Sequence, residues 1–296
     1  MDRRKFLYQS GAIAAGSIIA PSLFGFSKAP RRVKNAGLQV YTLREELAKD
    51  FAGTMKKVAD LGYKNIELFN YSDGKYFGNS ITEVKKLMKD LGMKVRSSHV
   101  LTGISMPDNI GTLTNSWERT VEDAAKLGQD YIVCAYLPDS ERRNLDDYKK
   151  VADLLNKSGE IAKKAGVQLA YHNHAFEFEN MEGEIPYHIF LDSCDKELVK
   201  YELDLYWAKR AGISPVEYFK KYPGMFPLWH VKDMEAGEEQ FFAPVGEGVI
   251  NWQEIFNHAS TAGLDYYFVE QDATRDNKPF ASIEKSINYL KGIERK

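Results

Sequence analysis

Four short apolar stretches of this sequence each end in a side chain that can bind a metal ion. The clearest lies at residues 166–178, where an apolar run leads into His172 and His174. Side chains alternate between the two faces of a β-strand, so both imidazoles are predicted to point the same way. Glu177 follows a few residues later. The three later stretches end, in sequence order, in Asp204, in His230 with Lys232, and in Glu270.

These residue types predict a site for a divalent transition metal. A mixture of imidazoles and carboxylates suits Mn²⁺, Co²⁺, Fe²⁺ or Zn²⁺ and is not typical of a thiolate site or a Ca²⁺ cage. The predicted ligands are His172, Asp204, His230 and Glu270. A single histidine at such a position is more typical of a hydrogen-bonded structural residue, so the set carries the prediction. A metal with open positions would polarise a carbonyl and stabilise an enediolate as the neighbouring proton leaves.

Carbonyl chemistry of this kind also needs a base and residues that hold the substrate. The candidate bases are Glu270, Glu177 and His174, and the candidate substrate-binding residues are Glu67, His99, Trp207 and Lys232. Lys232 could stabilise negative charge, or it could be a solvated lysine just beyond a strand. Trp207 could stack on a sugar ring, although core packing explains it almost as well.

A recurring pattern indicates how the chain positions these residues. A helical spacing of apolar residues ends in a glycine, and a β-branched or aromatic run follows. The pattern occurs at Gly62, Gly92, Gly128, Gly166 and Gly263. A helix, a glycine and a strand in this order form half of a parallel βαβ unit. The first helix of the series is predicted over residues 43–61.

Eight strands are predicted in total, near residues 37, 65, 95, 132, 169, 202, 229 and 268. Eight strands that alternate with helices favour an α/β fold, the closed (β/α)8 TIM barrel, in which the active site lies at the carboxyl ends of the strands. A doubly wound open sheet is the alternative. No glycine-rich phosphate loop follows the first strand, which argues against it.

Length, charge and cysteine content limit the remaining possibilities. The 296 residues carry a formal net charge of -2 and are 44% hydrophobic, which suffices for one large barrel domain over residues 33–296. This charge gives no reason to expect nucleic acid as a partner. The two cysteines, Cys134 and Cys194, do not form a disulfide framework, and Cys134 is predicted to be a buried free thiol.

The N-terminus is predicted to be an export signal rather than part of the fold. Arg3 and Arg4 precede a short apolar run without charges over residues 11–25. This arrangement is similar to a bacterial twin-arginine signal, with an ordinary secretion signal or an uncleaved anchor as alternatives. Residues 1–30 are therefore predicted to be the signal segment, and the mature protein to be periplasmic without stable membrane insertion.

Four phrases of the sequence resemble the sugar phosphate isomerase/epimerase family of xylose isomerase-like TIM barrels. They are Ala-Tyr-His-Asn-His at 170–174, Glu-Leu-Asp at 202–204 with Trp207 and Ala-Gly at 211–212, Trp-His-Val-Lys-Asp at 229–233, and Val-Glu-Gln-Asp at 269–272. The resemblance runs from about Gly37 to the C-terminus. It implies a small carbohydrate substrate, one divalent metal (Mn, Co or Zn), and homo-oligomers as a possibility.

The resemblance also implies a ligand set of Glu, Asp, His and Glu from strands five to eight. Asp204, His230 and Glu270 match the last three members, whereas His172 stands where many relatives have glutamate. Family epimerases use their first and last metal-binding glutamates as proton-transfer groups on opposite faces of the substrate. With His172 in place, Glu177 or His174 would have to substitute for the first glutamate.

Three hypotheses about function follow. The first is a metal-dependent isomerase or epimerase of a small unphosphorylated sugar or keto-sugar in carbohydrate metabolism, because export makes a sugar phosphate an unsuitable substrate. The second is a lyase or hydratase of 3-keto-glycosides on the same barrel. The third is a periplasmic sugar-binding protein without catalysis. A phosphodiester-cleaving relative would need more metal ligands and a basic groove, which the net charge of -2 does not favour.

Overall fold

Eight parallel strands close into a barrel in a computed structural model that describes residues 35–293. The barrel strands are β1 Gly37–Gln39, β2 Asn65–Leu68, β3 Lys94–Val100, β4 Tyr131–Cys134, β5 Gln168–His172, β6 Val199–Asp204, β7 Leu228–Val231 and β8 Tyr266–Val269. Each strand pairs with the next along the chain, and β1 pairs with both β2 and β8. All eight predicted strands and the (β/α)8 barrel are therefore confirmed, and the open sheet is excluded.

Helices surround the barrel. They are α1 Arg44–Lys49, α2 Phe51–Leu61, α3 Ile81–Asp90, α4 Trp117–Leu127, α5 Leu145–Lys164, α6 Pro186–Ser193, α7 Leu205–Arg210, α8 Pro215–Lys221, α9 Trp252–Asn257, α10 Ala259–Ala262 and α11 Pro279–Ile293. The single helix predicted over residues 43–61 is wrong. Asp50 has an extended backbone (φ -153°, ψ 93°), and its carboxylate accepts a hydrogen bond from the Gly53 backbone N–H, so it ends α1 and caps α2.

The glycines predicted to end helices have the backbone conformation that this role requires. Gly62, Gly128 and Gly263 follow α2, α4 and α10 with φ values of 104°, 88° and 80°. Each donates its backbone N–H to a carbonyl of the preceding turn. A side chain would strain this left-handed conformation, which explains why glycine stands where each helix turns back to the barrel.

Alternation along the strands divides their side chains between two cores. Tyr131, Val133, Ala170, Leu228 and Phe268 pack together inside the barrel, whereas their sequence neighbours pack outward against the helices. The predicted site residues at the ends of β5, β7 and β8 stand two positions after residues of this interior layer, and therefore face the same way. The barrel therefore places those side chains in the next interior layer, at the carboxyl ends of the strands.

Long loops at the carboxyl ends of β2, β3 and β7 build the walls above this layer. Short antiparallel strands at Tyr71–Ser72, Lys75–Tyr76 and Asn79–Ser80 follow β2, and another pair, Asp233–Met234 with Phe242–Ala243, follows β7. The loop between β3 and α4 contains no regular strand or helix. Residues of the loops after β2 and β3 line a cavity at this end of the barrel, and Lys232 at the start of the loop after β7 lines another.

The two cysteines are buried free thiols, as predicted for Cys134. Burial raises the pKa of the Cys134 thiol well above its usual range, and that of Cys194 to about 12. Within residues 35–293, each helix is too short or too polar to cross a bilayer. The predicted signal segment at residues 1–30 lies outside the described residues.

Candidate active site

Four predicted metal ligands converge at one end of the barrel. His172 and Asp204 are the last residues of β5 and β6, His230 lies in β7, and Glu270 directly follows β8. His230 is the register partner of Asp204 on the neighbouring strand. One potential ligand atom of each residue lies within 4.8 Å of those of the other three, and all four side chains are buried. We call these residues the outer cluster.

Hydrogen bonds orient the two imidazoles of the outer cluster. His230 Nε2 lies 2.6 Å from Glu67 Oε1, and His172 Nδ1 lies 3.1 Å from the carbonyl oxygen of Ala135. A carboxylate or a carbonyl can only accept, so each of these nitrogens carries the proton. The other nitrogen of each ring is left facing the cluster, which is how carboxylate and carbonyl partners prepare a histidine to bind a metal.

The carboxylates of the outer cluster are oriented in a similar way. Asp204 Oδ1 caps α7 by accepting the Trp207 backbone N–H (2.8 Å), while Oδ2 lies 3.3 Å from His172 Nε2. Glu270 Oε2 lies 2.9 Å from His230 Nδ1. Each carboxylate thus places an oxygen beside an imidazole nitrogen of the cluster, Asp204 beside His172 Nε2 and Glu270 beside His230 Nδ1.

Lys232 brings a cation to these carboxylates. Its Nζ lies 2.7 Å from Glu270 Oε2, 3.2 Å from Asp204 Oδ2 and 3.0 Å from Asp272 Oδ1, and the side chain is buried. Burial alone would lower the pKa of Lys232, but the carboxylates of Asp204, Asp272 and Glu270 raise it well above its usual range. The interpretation of Lys232 as a solvated lysine is therefore wrong.

The same charges hold the outer carboxylates ionised. Burial would raise the pKa of Asp204 and of Glu270, but Lys232 and neighbouring imidazoles lower both well below the usual range. Burial would lower the pKa of His230, yet the surrounding carboxylates raise it. A divalent cation at this position would therefore replace a proton on His230 and meet oxygens that already carry negative charge.

The residues of the outer cluster fit a divalent metal. Two imidazole nitrogens and two carboxylate oxygens match the preferences of Mn²⁺, Co²⁺ and Zn²⁺. His230 Nδ1 is buried and, although Glu270 Oε2 is near, it has no aligned hydrogen-bond partner in the described part of the chain. Such a cation would explain this observation. The set His172, Asp204, His230 and Glu270 is the one predicted from the sequence.

A second cluster lies one layer deeper and shares His230. Glu67, His99 and Glu202 surround His230 Nε2, and we call these three residues together with His230 the inner cluster. His99 Nε2 lies 3.1 Å from Glu67 Oε1 and 3.0 Å from Glu202 Oε2, and His230 Nε2 lies 3.1 Å from Glu202 Oε2. Burial would lower the pKa of His99, but the two carboxylates raise it to about 9.

Above the outer cluster lies a cavity of about 420 Å³, which we call the metal pocket. Its lining residues are Tyr41, His99, Ala135, Tyr136, His172, His174, Lys232, Glu270 and Asp272. His174 stacks on Phe176 with its ring centroid 5.5 Å away. Burial lowers the pKa of His174, and His172 and Lys232 lower it further, to about 2, so the ring is neutral at pH 7.

Three predicted site residues lie behind the pocket wall instead of lining it. Glu177 is buried, accepting hydrogen bonds from the Tyr171 hydroxyl (2.7 Å) and the His174 backbone N–H (2.8 Å), so it shapes the loop after β5 and is not placed to act as a base. Trp207 packs against His174, with ring centroids 5.4 Å apart, and is not among the residues that line the pocket. Glu67, predicted to bind substrate, instead orients His230 and His99.

Two acidic residues of the site were not predicted as candidates. Glu202 and Asp272 stand two positions from Asp204 and Glu270, respectively. Because strand residues two apart face the same way, alternation on β6 could have identified Glu202. Asp272 lies beyond the end of β8, and its contact with Lys232 depends on the path of the loop, for which the sequence gives no signal.

The sequence model of the family described as "Xylose isomerase-like TIM barrel" matches residues 55–293. A sugar phosphate isomerase/epimerase structure from Parabacteroides distasonis ATCC 8503 is 32% identical, with a TM-score of 0.75 and coverage of 90% of this chain and 95% of that chain. This chain belongs to the xylose isomerase-like TIM barrel family. The predicted family membership is thereby confirmed, and the residues that carried the resemblance are those at the site.

Two further relatives show the range of the family. Inosose dehydratase 2 of Bacillus cereus is 26% identical over 164 residues, which are 49% of this chain and 54% of that protein. The chain therefore spans about half the length of the curated relatives it matches. A structure of the IolI protein with a bound zinc atom is 17% identical with a TM-score of 0.68, covering 88% of this chain and 98% of that one, and it shows the shared fold.

Proposed function

We propose that this protein is a divalent-metal-dependent isomerase or epimerase of a small unphosphorylated sugar or keto-sugar. The observation that carries the proposal is the outer cluster. One nitrogen of His172 and one of His230 are held by Ala135 and Glu67, so the opposite nitrogen of each ring faces the carboxylate oxygens of Asp204 and Glu270 at the floor of a pocket. These four side chains would hold Mn²⁺, Co²⁺ or Zn²⁺.

Removal of a proton beside a carbonyl is the reaction that suits this pocket. A bound divalent cation would supply charge stabilisation for the carbonyl oxygen as the neighbouring proton leaves. Glu270 lines the pocket, whereas Glu177 does not, so Glu270 is the best-placed carboxylate to accept the proton. Lys232, fixed by three carboxylates, would hold the position of a substrate oxygen, and neutral His174 would bind a hydroxyl group.

The absence of charge for a phosphate group supports an unphosphorylated substrate. Lys232 is the one lysine or arginine among the residues that line the metal pocket. Its ammonium group is already neutralised by Asp204, Glu270 and Asp272. This lining therefore offers no further lysine or arginine to bind a phosphate dianion, whose recognition commonly uses such cations.

A dehydratase or lyase of a keto-sugar or keto-glycoside is the second candidate, and the asymmetry of the pocket favours it. Glu270 provides a carboxylate on one side, whereas His172 replaces the first glutamate and Glu177 does not reach the pocket. An elimination needs one base to take the α-proton, and the electrons of the broken C–H bond expel the neighbouring oxygen substituent, which leaves with a proton. The similarity to inosose dehydratase 2 is in line with this candidate.

Metal content and proton exchange together test the proposal. The purified mature protein should contain about one equivalent of a transition metal, and an Asp204→Ala, His230→Ala double variant should lose it. The wild type should exchange the α-proton of a keto-sugar for solvent deuterium. Recovery of the substrate skeleton would indicate an epimerase, and loss of the neighbouring substituent a dehydratase or lyase. Sugar binding without exchange, even after reconstitution with Mn²⁺, Co²⁺ or Zn²⁺, would leave the non-catalytic binding protein.

We also propose that the protein is exported through the twin-arginine route. The proposal is based on the order Arg3-Arg4-Lys5-Phe6-Leu7 before an uncharged apolar run. An Arg3→Lys, Arg4→Lys variant should accumulate as the full-length precursor in the cytoplasmic fraction, whereas the wild type reaches the periplasm. Unchanged export of the variant would contradict this route.

A further inference from the structure

We infer that the substrate has two parts and that an apolar or aromatic group attached to the sugar occupies a second cavity beside the metal pocket. This second cavity measures about 610 Å³ and shares Tyr41, His99 and Ala135 with the metal pocket. The two cavities are thus neighbours with a common wall, not separate sites. The inference depends on the proposed function and extends it by naming the substrate class, a glycoside with an apolar aglycone.

The lining of the second cavity suits an apolar group. Large hydrophobic side chains come from three elements: Tyr41 after β1, Phe69 and Tyr71 after β2, and Leu101 and Ile110 after β3. Tyr41 and Ile110 are each 40% exposed, although both are large hydrophobic side chains. Side chains of this kind, gathered on one concave surface, are typical of a ligand-binding site.

Charge supports the same ligand class. The residues that line the second cavity include neither a lysine nor an arginine, and Asp108 is the one carboxylate among them. His99 also belongs to this lining, but Glu67 and Glu202 already hold its imidazole, so phosphates and other anions find no unpaired cation among the lining residues. Aromatic rings and aliphatic chains gain from burial against such a wall, because the contact removes apolar surface from water.

The wall of the second cavity is fixed by specific contacts. Tyr41 packs edge-on against Phe69, with ring centroids 5.2 Å apart, and the Arg44 guanidinium lies 4.6 Å from the Tyr41 ring centroid. Arg44 also donates to the backbone carbonyl of Asp272, beside the metal pocket (3.0 Å). The two cavities are thereby held in a constant relative position.

The loop after β3 is also anchored. Glu141 accepts hydrogen bonds from the Thr102 hydroxyl and the Ser105 backbone N–H. Gly111 has a φ of 92°, and a Cβ there would lie 2.4 Å from a ring carbon of Tyr71. The close approach of this loop to Tyr71 therefore requires glycine, and it places Ile110 at the cavity.

A free monosaccharide would use only part of this space. The sugar ring would bind in the metal pocket and leave the larger, more apolar cavity to water. In a glycoside, the anomeric substituent can extend from the ring into the adjoining cavity. The arrangement therefore favours a keto-glycoside with an apolar aglycone over a free sugar, and it makes release of the aglycone the natural outcome of an elimination.

Binding of matched glycosides tests this inference. We would titrate the Mn²⁺-loaded protein by calorimetry with 4-nitrophenyl and methyl glycosides of the same sugars. The nitrophenyl compound should bind at least about ten-fold more tightly, because burial of the ring adds about 1.4 kcal/mol. Ile110→Asn should remove most of that preference without changing the affinity for the methyl glycoside.

Ile104 provides a matched control in the same loop. It is 47% exposed and does not line the second cavity. Ile104→Asn should therefore retain the full preference for the nitrophenyl glycoside. Equal affinity for the two glycosides, no binding of either, or an equal loss in both variants would overturn the inference. Metal content and proton exchange are measured separately, so a failure of the proposed function itself would be recognised by those two measurements.

Discussion

The inner and outer clusters contain the same residue types and share His230, but their surroundings differ. In the inner cluster, Glu67 also accepts hydrogen bonds from the Gln39 side-chain amide (2.9 Å) and the Ser97 hydroxyl (2.5 Å). Two imidazoles, His99 and His230, face two carboxylates there. In the outer cluster, His230 Nδ1 has no aligned hydrogen-bond partner among the described residues, and an open pocket lies above it.

This difference shows that residue type alone does not identify a metal site. Both clusters place four potential ligand atoms within 4.8 Å of one another. What separates them is that Gln39 and Ser97 already donate to Glu67 of the inner cluster, and that two members of the outer cluster, His172 and Glu270, line the metal pocket, whereas His99 alone of the three other inner residues does. The inner cluster orients His230, and the outer cluster is where we propose that the metal binds.

Asp204→Asn should have the largest effect, because it removes a charged ligand from the outer cluster. Asparagine still accepts the hydrogen bond that caps α7, so the protein should fold. Proton exchange on a keto-sugar should fall on the order of 1,000-fold, since several kcal/mol of charge stabilisation are lost. Asp146→Asn, at a surface salt bridge of α5, is the control. Wild-type exchange in Asp204→Asn would contradict the assignment of the outer cluster.

Glu67→Gln should break the inner cluster and act on the outer one indirectly. His230 loses its carboxylate partner, so metal affinity should fall about 10- to 100-fold, measured by titration with Zn²⁺. The free energy of unfolding should fall by about 3 kcal/mol, because a buried ion pair loses one partner. Glu141→Gln alters another buried carboxylate and should leave metal affinity unchanged. Equal metal affinity in Glu67→Gln and the wild type would show that the inner cluster does not support His230.

Glu177 can be compared with the carboxylates of both clusters. It is also buried, but among the described residues it forms no salt bridge. Burial raises its pKa to about 7, whereas imidazoles lower the pKa of Glu67. The native protein therefore binds more protons at this residue than the unfolded chain between about pH 4.5 and pH 7, and the contribution of Glu177 to stability falls as pH rises through that window.

Glu177→Gln removes this titration. Relative to the wild type, the variant should become more stable by about 3 kcal/mol between about pH 4.5 and pH 8. Urea unfolding at the two pH values measures the difference, and Glu179→Gln, an exposed neighbour, is the control. A constant difference between Glu177→Gln and the wild type at both pH values would rule out a raised pKa.

Lys232→Met should give the smallest change and should affect the apoprotein and the metal-bound protein in opposite ways. Without metal, Asp204, Glu270 and Asp272 lose their cation, so the apoprotein should be less stable. With the competing charge gone, metal affinity should rise about ten-fold. Thermal unfolding with and without Mn²⁺ should show a larger stabilisation by metal than in the wild type. Lys285→Met, which removes a surface ion pair with Glu247, should leave that stabilisation unchanged.

The sequence by itself determined the barrel and brought out the four residues of the outer cluster as candidate ligands. Glycines such as Gly62 mark the ends of helices, and alternation along β5, β7 and β8 gives the inward faces. Both signals are local, because helix capping and strand alternation depend on neighbouring residues. Local patterns do not predict the break at Asp50. The helical spacing of apolar residues over 43–61 continues across it, although the extended backbone of Asp50 separates α1 from α2.

Only the tertiary structure decided how the outer cluster is supported and what lies beside it. Glu67 and His230 are 163 positions apart and meet because β2 and β7 belong to one closed barrel. Glu177 and Trp207 turned out to lie behind the pocket wall, and the second cavity arises where loops after β1, β2 and β3 meet. These outcomes depend on strand register and loop paths, which are set by contacts between residues distant in sequence.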